Sequence, residues 1–345
     1  MTERPSNRIL LMRSNTPSII GLFAGIGGIE KGFMDAGFTV AAANEIDEYA
    51  AKTYKANYKH RIVVDDIKNV SSSNLLDKPQ EITVLAGGFP CQPFSVAGYR
   101  KGFEDERGNV FWEIHRLIRE IKPEVVFLEN VKNLETHDQG RTFETIKNAL
   151  EGKVADPDGN FLDHAYSVRS IVLNAKDFGV PQNRERIYIV AFRDEKAAAK
   201  FHFPLGKEAN RPLRPLSDFI DFDTKLDDKY YYTAARPFYG ELVKDITDGN
   251  TIYQWRRQYV RANKSGVCPT LTANMGMGGH NVPLIKAKHG IRKLTPKECF
   301  ALMGFSSPTF PEGLAESRLY KQAGNAVVVP VIAALAHEVK KALGR

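Results

Sequence analysis

The feature that most constrains the fold is the alternation of short apolar runs with helix-length amphipathic stretches through the first half of the chain. The predicted strands are Ser18–Phe23, Thr39–Ala43, Arg61–Val64, Ile82–Ala86 and Val125–Leu128, and the predicted helices include Ile29–Ala36, Glu48–Asn57 and Val110–Ile121. Strands and helices that alternate at this spacing are typical of a parallel sheet with helices on both faces. The sequence therefore predicts an α/β domain built on a doubly wound sheet.

Two further apolar runs predict an antiparallel hairpin at one edge of this sheet. They are Tyr166–Leu173 and Ile187–Phe192, and the loop Asn174–Arg186 lies between them. The runs are close enough in the chain to pair directly, without the crossover that a parallel pair needs. We therefore expect a mostly parallel sheet with an antiparallel edge hairpin.

The pattern changes after about residue 200, where prolines and the glycine-rich stretch Gly276–Gly279 interrupt any regular period. Helical spacing returns over Gly324–Leu343, which predicts a helix that packs back on the first domain. We predict one domain of residues 1–200 with 315–345, and a smaller, irregular domain of residues 201–314 that includes the hinge.

Composition and charge narrow the class of partner. The 345 residues carry a formal net charge of +7, an excess that favours a polyanion because Lys and Arg neutralise phosphates. No uninterrupted apolar run approaches the roughly 20 residues that span a bilayer. The first 16 residues lack the long apolar core that a signal peptide has. We expect a cytoplasmic protein with no membrane partner.

A glycine-rich turn and three acids predict a nucleoside site. The first predicted strand runs into Phe23–Gly28, but the third position of the dinucleotide fingerprint is Glu30, which disfavours diphosphate binding. Glu45 follows 20 residues later, where an acid accepts ribose hydroxyls, and Asp65 and Asp66 follow the third strand. The alternative is a tight strand–helix turn without a ligand. An adenosine without a diphosphate fits this pattern, as in S-adenosylmethionine.

Three cysteines, Cys91, Cys268 and Cys299, are too few for a disulfide framework, and no Cys/His spacing predicts a metal site. Cys91 is different from the other two because Pro90 and Pro93 flank it directly after the fourth predicted strand. Proline restricts itself and the residue before it, so the loop is stiff. A lone cysteine is more often a small buried hydrophobe. In this setting we predict a nucleophile, with Cys268 and Cys299 structural.

The chain resembles the DNA cytosine-5 methyltransferase family, of the bacterial restriction–modification type, over nearly its whole length. The matching segments, in the family's order, are Phe23–Gly28, Asn44-Glu45, Asp66, Gly88–Ser95, Glu129–Val131, Gln182–Arg186, Arg292–Phe305 and Gln322–Val327. The resemblance implies a Rossmann-like methyltransferase domain that binds S-adenosylmethionine (residues 1–200 and 315–345). It implies a target-recognition domain with its hinge in residues 201–314.

The resemblance also implies catalytic roles for Cys91, Glu129, Arg184 and Arg186. Cys91 would add as thiolate to carbon 6 of cytosine, and Glu129 would donate a proton at ring nitrogen 3. Arg186 would lie near the base carbonyl, and Arg184 would set the environment of Glu129 and Cys91. The alternatives are a surface acid at a strand end and arginines that are structural or bind phosphate.

The resemblance implies a cofactor pocket in which Phe23 packs on adenine, Glu45 binds the ribose and Asp66 binds the adenine amine. Its residues are Phe23, Ala24, Gly25, Gly27, Gly28, Glu45, Ile46, Asp66, Ile67, Pro90, Asn325, Ala326 and Val327. Many family members carry tryptophan after the ribose acid, whereas this chain has Ile46. We expect aliphatic contact to replace adenine stacking there.

The predicted DNA-binding residues are Gln92, Ser95, Arg256, Arg257, Arg261 and Thr270. A target atom inside a duplex is inaccessible, so the base must be flipped out. The resemblance implies that the loop Val96–Gly108 closes over the DNA, and its glycines would permit this movement. Thr251–Gly266 combines four basic side chains with aromatic ones and has no acid. Its arginines would contact guanine or phosphates. A solvated basic face is the alternative.

The leading hypothesis is methyl transfer to carbon 5 of a flipped-out cytosine in a specific duplex DNA sequence, which protects host DNA in a restriction–modification system. We expect a monomer, with double-stranded DNA as partner and a cognate endonuclease that shares the site without stable binding. The family's transfer-RNA branch is the second hypothesis, although the roughly 100-residue variable region favours DNA. Cys91, Glu129 and Arg186 argue against a non-catalytic DNA-binding protein. The missing third glycine argues against a nicotinamide-dependent oxidoreductase.

Overall fold

The computed structural model describes residues 16–78, 80–90, 110–205, 211–256, 258–263, 265–277 and 281–345. The strands are β1 (Ser18–Leu22), β2 (Thr39–Glu45), β3 (Ile62–Val64), β4 (Val84–Gly88), β5 (Val125–Val131), β6 (Ser167–Asn174), β7 (Gln182–Asn183), β8 (Glu185–Phe192), β9 (Ile252–Arg256), β10 (Tyr259–Asn263), β11 (Cys268–Pro269), β12 (Leu284–Ala287) and β13 (Gly290–Lys293). The helices are α1 (Gly28–Asp35), α2 (Glu48–Asn57), α3 (Ser72–Leu75), α4 (Val110–Ile121), α5 (Arg141–Leu150), α6 (Glu195–Lys200), α7 (Tyr239–Asp245), α8 (Pro296–Ala301), α9 (Glu316–Asn325) and α10 (Val329–Ala342).

The larger sheet has seven strands in the order β3-β2-β1-β4-β5-β8-β6. The first five of these strands are parallel, and β8 is antiparallel to both β5 and β6. The predicted mostly parallel sheet with an antiparallel edge hairpin is therefore confirmed. The hairpin lies with β8 inside the sheet and β6 at its edge.

Apolar side chains from successive residues of β1 cover opposite faces of this sheet, as the two-residue period of a strand requires. Ile19 packs in one buried cluster with Phe33 of α1 and Phe127 of β5. Ile20 packs in a second cluster, which includes Phe111 of α4. Because both faces are covered, the residues at the carboxyl ends of the strands are left to form a crevice.

The predicted helical stretch Gly324–Leu343 consists of the end of α9 and of α10, and α10 packs on α1 beside the larger sheet. α10 packs so closely on α1 that a Cβ at Gly32 would lie 2.5 Å from the side chain of Ile332. Within the described residues one helical stretch, Glu316–Ala342, is long and apolar enough to cross a membrane, but 72% of its most apolar window is buried in the protein. This burial is typical of a core helix.

A second sheet consists of four antiparallel strands in the order β10-β9-β12-β13. This region is more regular than the sequence predicted, because strands of four or five residues give little periodic signal. Through Tyr253 and Leu284, one face of the sheet packs on Leu242 of α7 and on Ile246, which directly follows this helix.

Two contacts hold the segment after β10 against the residues beside the crevice. β11 pairs in parallel with β7, with Cys268 opposite Gln182. On α9, a Cβ at Gly324 would lie 2.1 Å from the carbonyl carbon of Thr272, so that only glycine allows this approach. The segment that follows β10 is therefore fixed against the carboxyl ends of the large sheet.

Candidate active site

A cavity of about 340 Å³ lies at the carboxyl ends of β1, β2, β4 and β5. Its lining consists of Phe23, Gly25, Ile26, Glu45, Ile46, Asp47, Ala50, Gly88, Phe89, Pro90, Glu129, Asn130, Val131, Arg184, Arg186, Lys321, Gln322, Gly324, Asn325 and Ala326. A larger, more open hollow of about 980 Å³ lies by the loop Pro215–Asp223, but its charged side chains are all exposed. The smaller cavity, which brings buried acids and arginines together, is the candidate active site.

The turn between β1 and α1 has three residues in the left-handed backbone region. They are Phe23 with φ of 54°, Gly25 with φ of 56° and Gly27 with φ of 87°. A Cβ at Gly27 would also lie 2.4 Å from the Tyr58 ring. Left-handed backbone at a non-glycine residue costs roughly 1–3 kcal/mol and persists at functional sites. The strained Phe23 lines the cavity, so the strain is located where a ligand would bind.

Glu45 is the last residue of β2, and its carboxylate is fixed by two backbone groups. Oε2 accepts a hydrogen bond from the Gly25 N–H at 2.7 Å, and Oε1 accepts one from the Asp47 N–H at 2.7 Å. Burial raises the pKa of Glu45, and these two N–H groups oppose that shift. Each oxygen keeps a free lone pair, so the carboxylate can accept further hydrogen bonds from a pair of hydroxyl groups.

Glu30, at the position of the missing third glycine, lies under the turn rather than in the cavity. Its side chain is fully buried, and neither carboxyl oxygen has a hydrogen-bond partner among the described residues. The carboxyl group lies against the backbone of Gly21, where a Cβ would meet Oε1 at 1.8 Å. Burial raises the pKa of Glu30 to about 8, so the group is protonated at neutral pH.

Glu129 and Arg186 form an ion pair in the cavity. Glu129 lies on β5, with Oε1 at 3.1 Å from Arg186 Nε, and both side chains are largely buried. Gly88 of β4 is directly opposite Glu129 in the sheet, and a Cβ there would lie 3.1 Å from Oε2. Burial raises the pKa of Glu129, against the opposing charges of Arg186 and Arg184. Burial therefore disfavours the ionised carboxylate at Glu129, whereas the two neighbouring arginines favour it.

Arg184 forms the wall between the cavity and the segment after β11. Its guanidinium donates to the carbonyl oxygens of Leu271 at 2.7 Å, Gly324 at 3.0 Å and Ala326 at 2.7 Å. Burial lowers its pKa to about 9, so it stays charged at neutral pH. Arg184 and Arg186 line the same cavity, but Arg184 contacts backbone carbonyls and Arg186 contacts Glu129.

The cavity lining includes part of the predicted cofactor set: Phe23, Gly25, Glu45, Ile46, Pro90, Asn325 and Ala326. The remaining members, Ala24, Gly27, Gly28, Asp66, Ile67 and Val327, lie outside it. Asp66 caps a short 3-10 turn and accepts a hydrogen bond from the Lys68 N–H at 3.1 Å. Their binding roles stay predictions.

Several predicted residues lie outside the described residues: Cys91, Gln92, Ser95, Arg257 and the loop Val96–Gly108. The chain is described up to Pro90, which lines the cavity. Thr270 donates to the carbonyl oxygen of Asn183 at 2.6 Å beside the cavity wall. Arg256 and Arg261 are exposed on β9 and β10. Among the described residues no group of three His, Cys, Asp or Glu side chains is placed to share a metal ion.

Two features of the site were missed by sequence reasoning. Asn130 donates to the carbonyl oxygen of Phe89 at 3.1 Å and so fixes the backbone just before Pro90; its place in Glu-Asn-Val was the available signal. Lys321 pairs with Asp47 at 3.0 Å across the cavity rim. These two residues are 274 positions apart, and nothing in the sequence pairs them.

Comparisons with known proteins agree with this geometry. The model of the family described as C-5 cytosine-specific DNA methylase matches residues 18–341. Type II methyltransferase M.Bsp6I of Bacillus sp. (strain RFL6) is 52% identical over 329 residues, which cover 94% of this chain and 99% of that protein. Type II methyltransferase M.HhaI of Haemophilus parahaemolyticus is 35% identical, with 94% of each chain covered.

Solved structures show the same fold at low sequence identity. A crystal structure of S. pombe Dnmt2 methyltransferase has a TM-score of 0.68 at 17% identity and covers 95% of this chain and 100% of that one. A putative DNA modification methyltransferase encoded in an E. coli prophage has a TM-score of 0.67 at 21% identity, with 96% and 100% covered. The family match over nearly the whole chain decides the assignment: the protein belongs to the C-5 cytosine-specific DNA methylase family and is a DNA cytosine-5-methyltransferase of the bacterial restriction–modification type.

Proposed function

We propose that the enzyme methylates carbon 5 of a cytosine flipped out of a specific duplex DNA sequence, through a covalent adduct with Cys91. The observation that carries this proposal is the buried Glu129–Arg186 pair in the same cavity as the fixed carboxylate of Glu45. Pro90 lines the cavity, and the next residue in the chain is the predicted nucleophile. We further propose that this modification protects host DNA from a cognate endonuclease.

The cavity residues fit S-adenosylmethionine. Glu45 offers an oriented carboxylate for ribose hydroxyls, and Phe23 and Ile46 offer apolar surface for adenine. Ile46 is 61% exposed, so its side chain is available to cover a flat ring. Asn325 and Ala326 would close the pocket from the end of α9. When bound, S-adenosylmethionine supplies an electrophilic methyl group.

Cys91 would act as the nucleophile on the cytosine ring, and Glu129 as the proton donor. The Cys91 sulfur forms a bond to carbon 6, which pushes an electron pair into the ring and makes carbon 5 nucleophilic. Glu129 holds a proton at ring nitrogen 3 and offsets the charge that develops there, a role that its raised pKa suits. After methylation, carbon 5 gives up its proton to a water molecule, and the electron pair of that carbon–hydrogen bond restores the ring double bond as the sulfur–carbon bond breaks and frees Cys91 as a thiolate.

The other two cysteines are unsuited to this step. Cys268 and Cys299 are fully buried, and burial raises the pKa of both thiols. A thiol must ionise to attack, so these side chains stay unreactive at neutral pH.

We propose residues 1–200 with 315–345 as the catalytic domain and residues 201–314 as the target-recognition domain with its hinge. Duplex DNA would lie in the cleft between them, beside Thr270, with the basic side chains of β9 and β10 facing it. We propose that the protein acts as a monomer in the cytoplasm. The exposed basic ribbon favours duplex DNA over transfer RNA, which is the alternative substrate.

Nucleoside mass spectrometry tests the proposal. Mixed-sequence duplex DNA and transfer RNA are each incubated with S-adenosylmethionine and wild type, Cys91→Ser or, as a matched control, Cys299→Ala. New 5-methylcytosine in DNA is expected with wild type and the control, and none with Cys91→Ser. Thermal unfolding of each variant separates loss of the nucleophile from loss of the fold. Product in transfer RNA alone would overturn the DNA assignment, and equal product from Cys91→Ser would overturn the covalent step.

A further inference from the structure

The outer face of the β9–β10 ribbon carries polar side chains that the chemistry in the cavity does not use. The two strands pair with Arg256 opposite Tyr259 and Gln254 opposite Arg261. Directly opposed residues of an antiparallel pair project from the same face. These four side chains therefore form one surface, called here the outer face.

The other face of the ribbon is anchored, which fixes the orientation of the outer face. Tyr253 is 2% exposed in the cluster with Leu242 of α7. Trp255 stacks on Phe238, with ring centroids 4.8 Å apart. A slip of one residue in the pairing would move these apolar side chains into solvent, so the register is strongly specified.

The outer face offers hydrogen-bond donors and positive charge. Arg256, Arg261 and Tyr259 are exposed, with Tyr259 at 59%. Arg256 Nη2 donates to Gln254 Oε1 at 3.1 Å. In the part of the chain that the structure describes, no carboxylate pairs with either arginine. A face with two such guanidinium groups and no acid is complementary to DNA.

The ribbon is also tied closely to the catalytic cavity. Five residues after β10 ends at Asn263, the chain reaches Cys268, which pairs with β7 next to Arg184. Five residues span at most about 18 Å, and the ribbon adds about 14 Å from Asn263 to its tip. The outer face thus lies within about one helical turn of DNA from the cavity edge.

We propose that this face enters the major groove, that Arg256 recognises a guanine there, and that Gln254 is the positioning residue that orients the guanidinium. This inference rests on the proposed function. A two-stranded ribbon fits the major groove, and a guanidinium donates two parallel N–H bonds to guanine N7 and O6. Because Gln254 accepts from Nη2, it restricts rotation of the group and leaves further N–H donors free. Arginines that only held phosphates would carry no sequence information.

Measuring which DNA sequences are methylated tests the separate roles proposed for Arg256 and Gln254. A duplex library with random bases around a cytosine is treated with S-adenosylmethionine and enzyme, and 5-methylcytosine is mapped by conversion sequencing. The enzymes are wild type, Arg256→Ala, Gln254→Leu, Gln254→Glu and a control, Lys288→Ala. The control removes an exposed positive charge from the turn between β12 and β13.

Wild type is expected to prefer guanine at one position, and Arg256→Ala and Gln254→Leu to lose that preference by about 10-fold or more at the same position. Gln254→Glu keeps an acceptor for Arg256 and should retain the guanine preference, as should Lys288→Ala. Unfolding midpoints should stay unchanged, since both mutated ribbon side chains are at the surface.

Equal loss of methylation at every sequence in Arg256→Ala, with a shallower salt dependence, would assign the arginine to phosphate and overturn the inference. An intact guanine preference in Gln254→Leu would overturn the role of Gln254. Absence of 5-methylcytosine with wild type would overturn the proposed function and this inference with it. If wild type does form 5-methylcytosine but the guanine preference survives both Arg256→Ala and Gln254→Leu, only this inference is overturned and the proposed function stands.

Discussion

The cavity and the outer face of the β9–β10 ribbon hold their charged side chains in opposite ways. In the cavity, Glu45 is fixed by two backbone N–H groups and Arg184 by three backbone carbonyls. On the ribbon, Arg256 is exposed, and within the described part of the chain its side chain donates one hydrogen bond, to Gln254. Preorganised groups in a water-excluded site stabilise charge that develops during a reaction, whereas recognition of DNA needs donors that are still free. We therefore expect cavity variants to lose rate or stability and ribbon variants to change the choice of site.

The largest effect is expected for Glu129→Gln, which removes the proton donor but keeps the shape of the side chain. The rate of methyl transfer should fall by about 100- to 10,000-fold, the range for loss of a general acid. Single-turnover transfer of a radiolabelled methyl group to DNA measures it. Glu135→Gln, an exposed acid after the same strand, is the control and should keep wild-type rates. A Glu129→Gln rate within threefold of wild type would remove Glu129 from the mechanism.

Arg184→Ala tests whether the cavity wall is also a stability element. The change leaves three carbonyl oxygens without their donor, and we expect the free energy of unfolding to fall by about 4 kcal/mol. Urea unfolding followed by tryptophan fluorescence measures it, with the exposed Arg169→Ala as control. If both variants unfold at the same urea concentration, the contrast between the cavity and the ribbon is wrong.

Glu30→Gln should remove a pH dependence of stability. The pKa of Glu30 is about 8 in the folded protein against 4.5 as the ordinary value, so between these pH values the folded state binds one more proton than the unfolded state. Stability therefore falls as pH rises through this window and levels off above pH 8. From pH 5 to pH 7 the loss due to Glu30 is about 3 kcal/mol.

Unfolding free energies of wild type and Glu30→Gln, compared across that range, should diverge by this amount in favour of the variant. Glu48→Gln, at an exposed position on α2, should run parallel to wild type. Parallel curves for Glu30→Gln would mean that the buried acid is ionised at neutral pH.

The smallest effect is expected for Ile46→Trp. An indole at this exposed position could stack on adenine, a contact worth about 0.5–1.5 kcal/mol, so the Kd for S-adenosylmethionine should fall about 3- to 10-fold. Isothermal titration calorimetry measures the Kd, with Val243→Trp, 51% exposed on α7, as the control. Unchanged or weaker binding would argue that adenine does not lie against Ile46.

Local signals in the sequence predicted the helices better than the strand ends. α2 matches its predicted bounds because its N-cap, Asp47, and its periodicity are both local. β2 and β5 run two to three residues beyond their predicted ends, because pairing such as Glu45 with Val64 extends them. Glu45 and Glu129 therefore lie in strands rather than in loops.

Contacts across long stretches of chain were beyond sequence reasoning. The second sheet was missed because Tyr253 pairs with Leu284, 31 positions later, through strands too short to show a period. One rule did reach across the chain: the carboxyl ends of parallel strands converge, which predicted that Glu45 and the turn at Phe23 share a crevice. No rule of this kind predicts the backbone carbonyls to which Arg184 and Asn130 donate, and only the structure shows them.

The contact between Asp47 and Lys321 has a consequence for the timing of synthesis. Because these residues are 274 positions apart, a ribosome working at about 5–20 residues per second takes roughly 14–55 s to add the second after the first. For that interval the nascent chain has its glycine turn and Glu45 but lacks the wall supplied by α9. A nascent chain that has not yet reached α9 therefore lacks Lys321, Asn325 and Ala326 from the lining of the cavity.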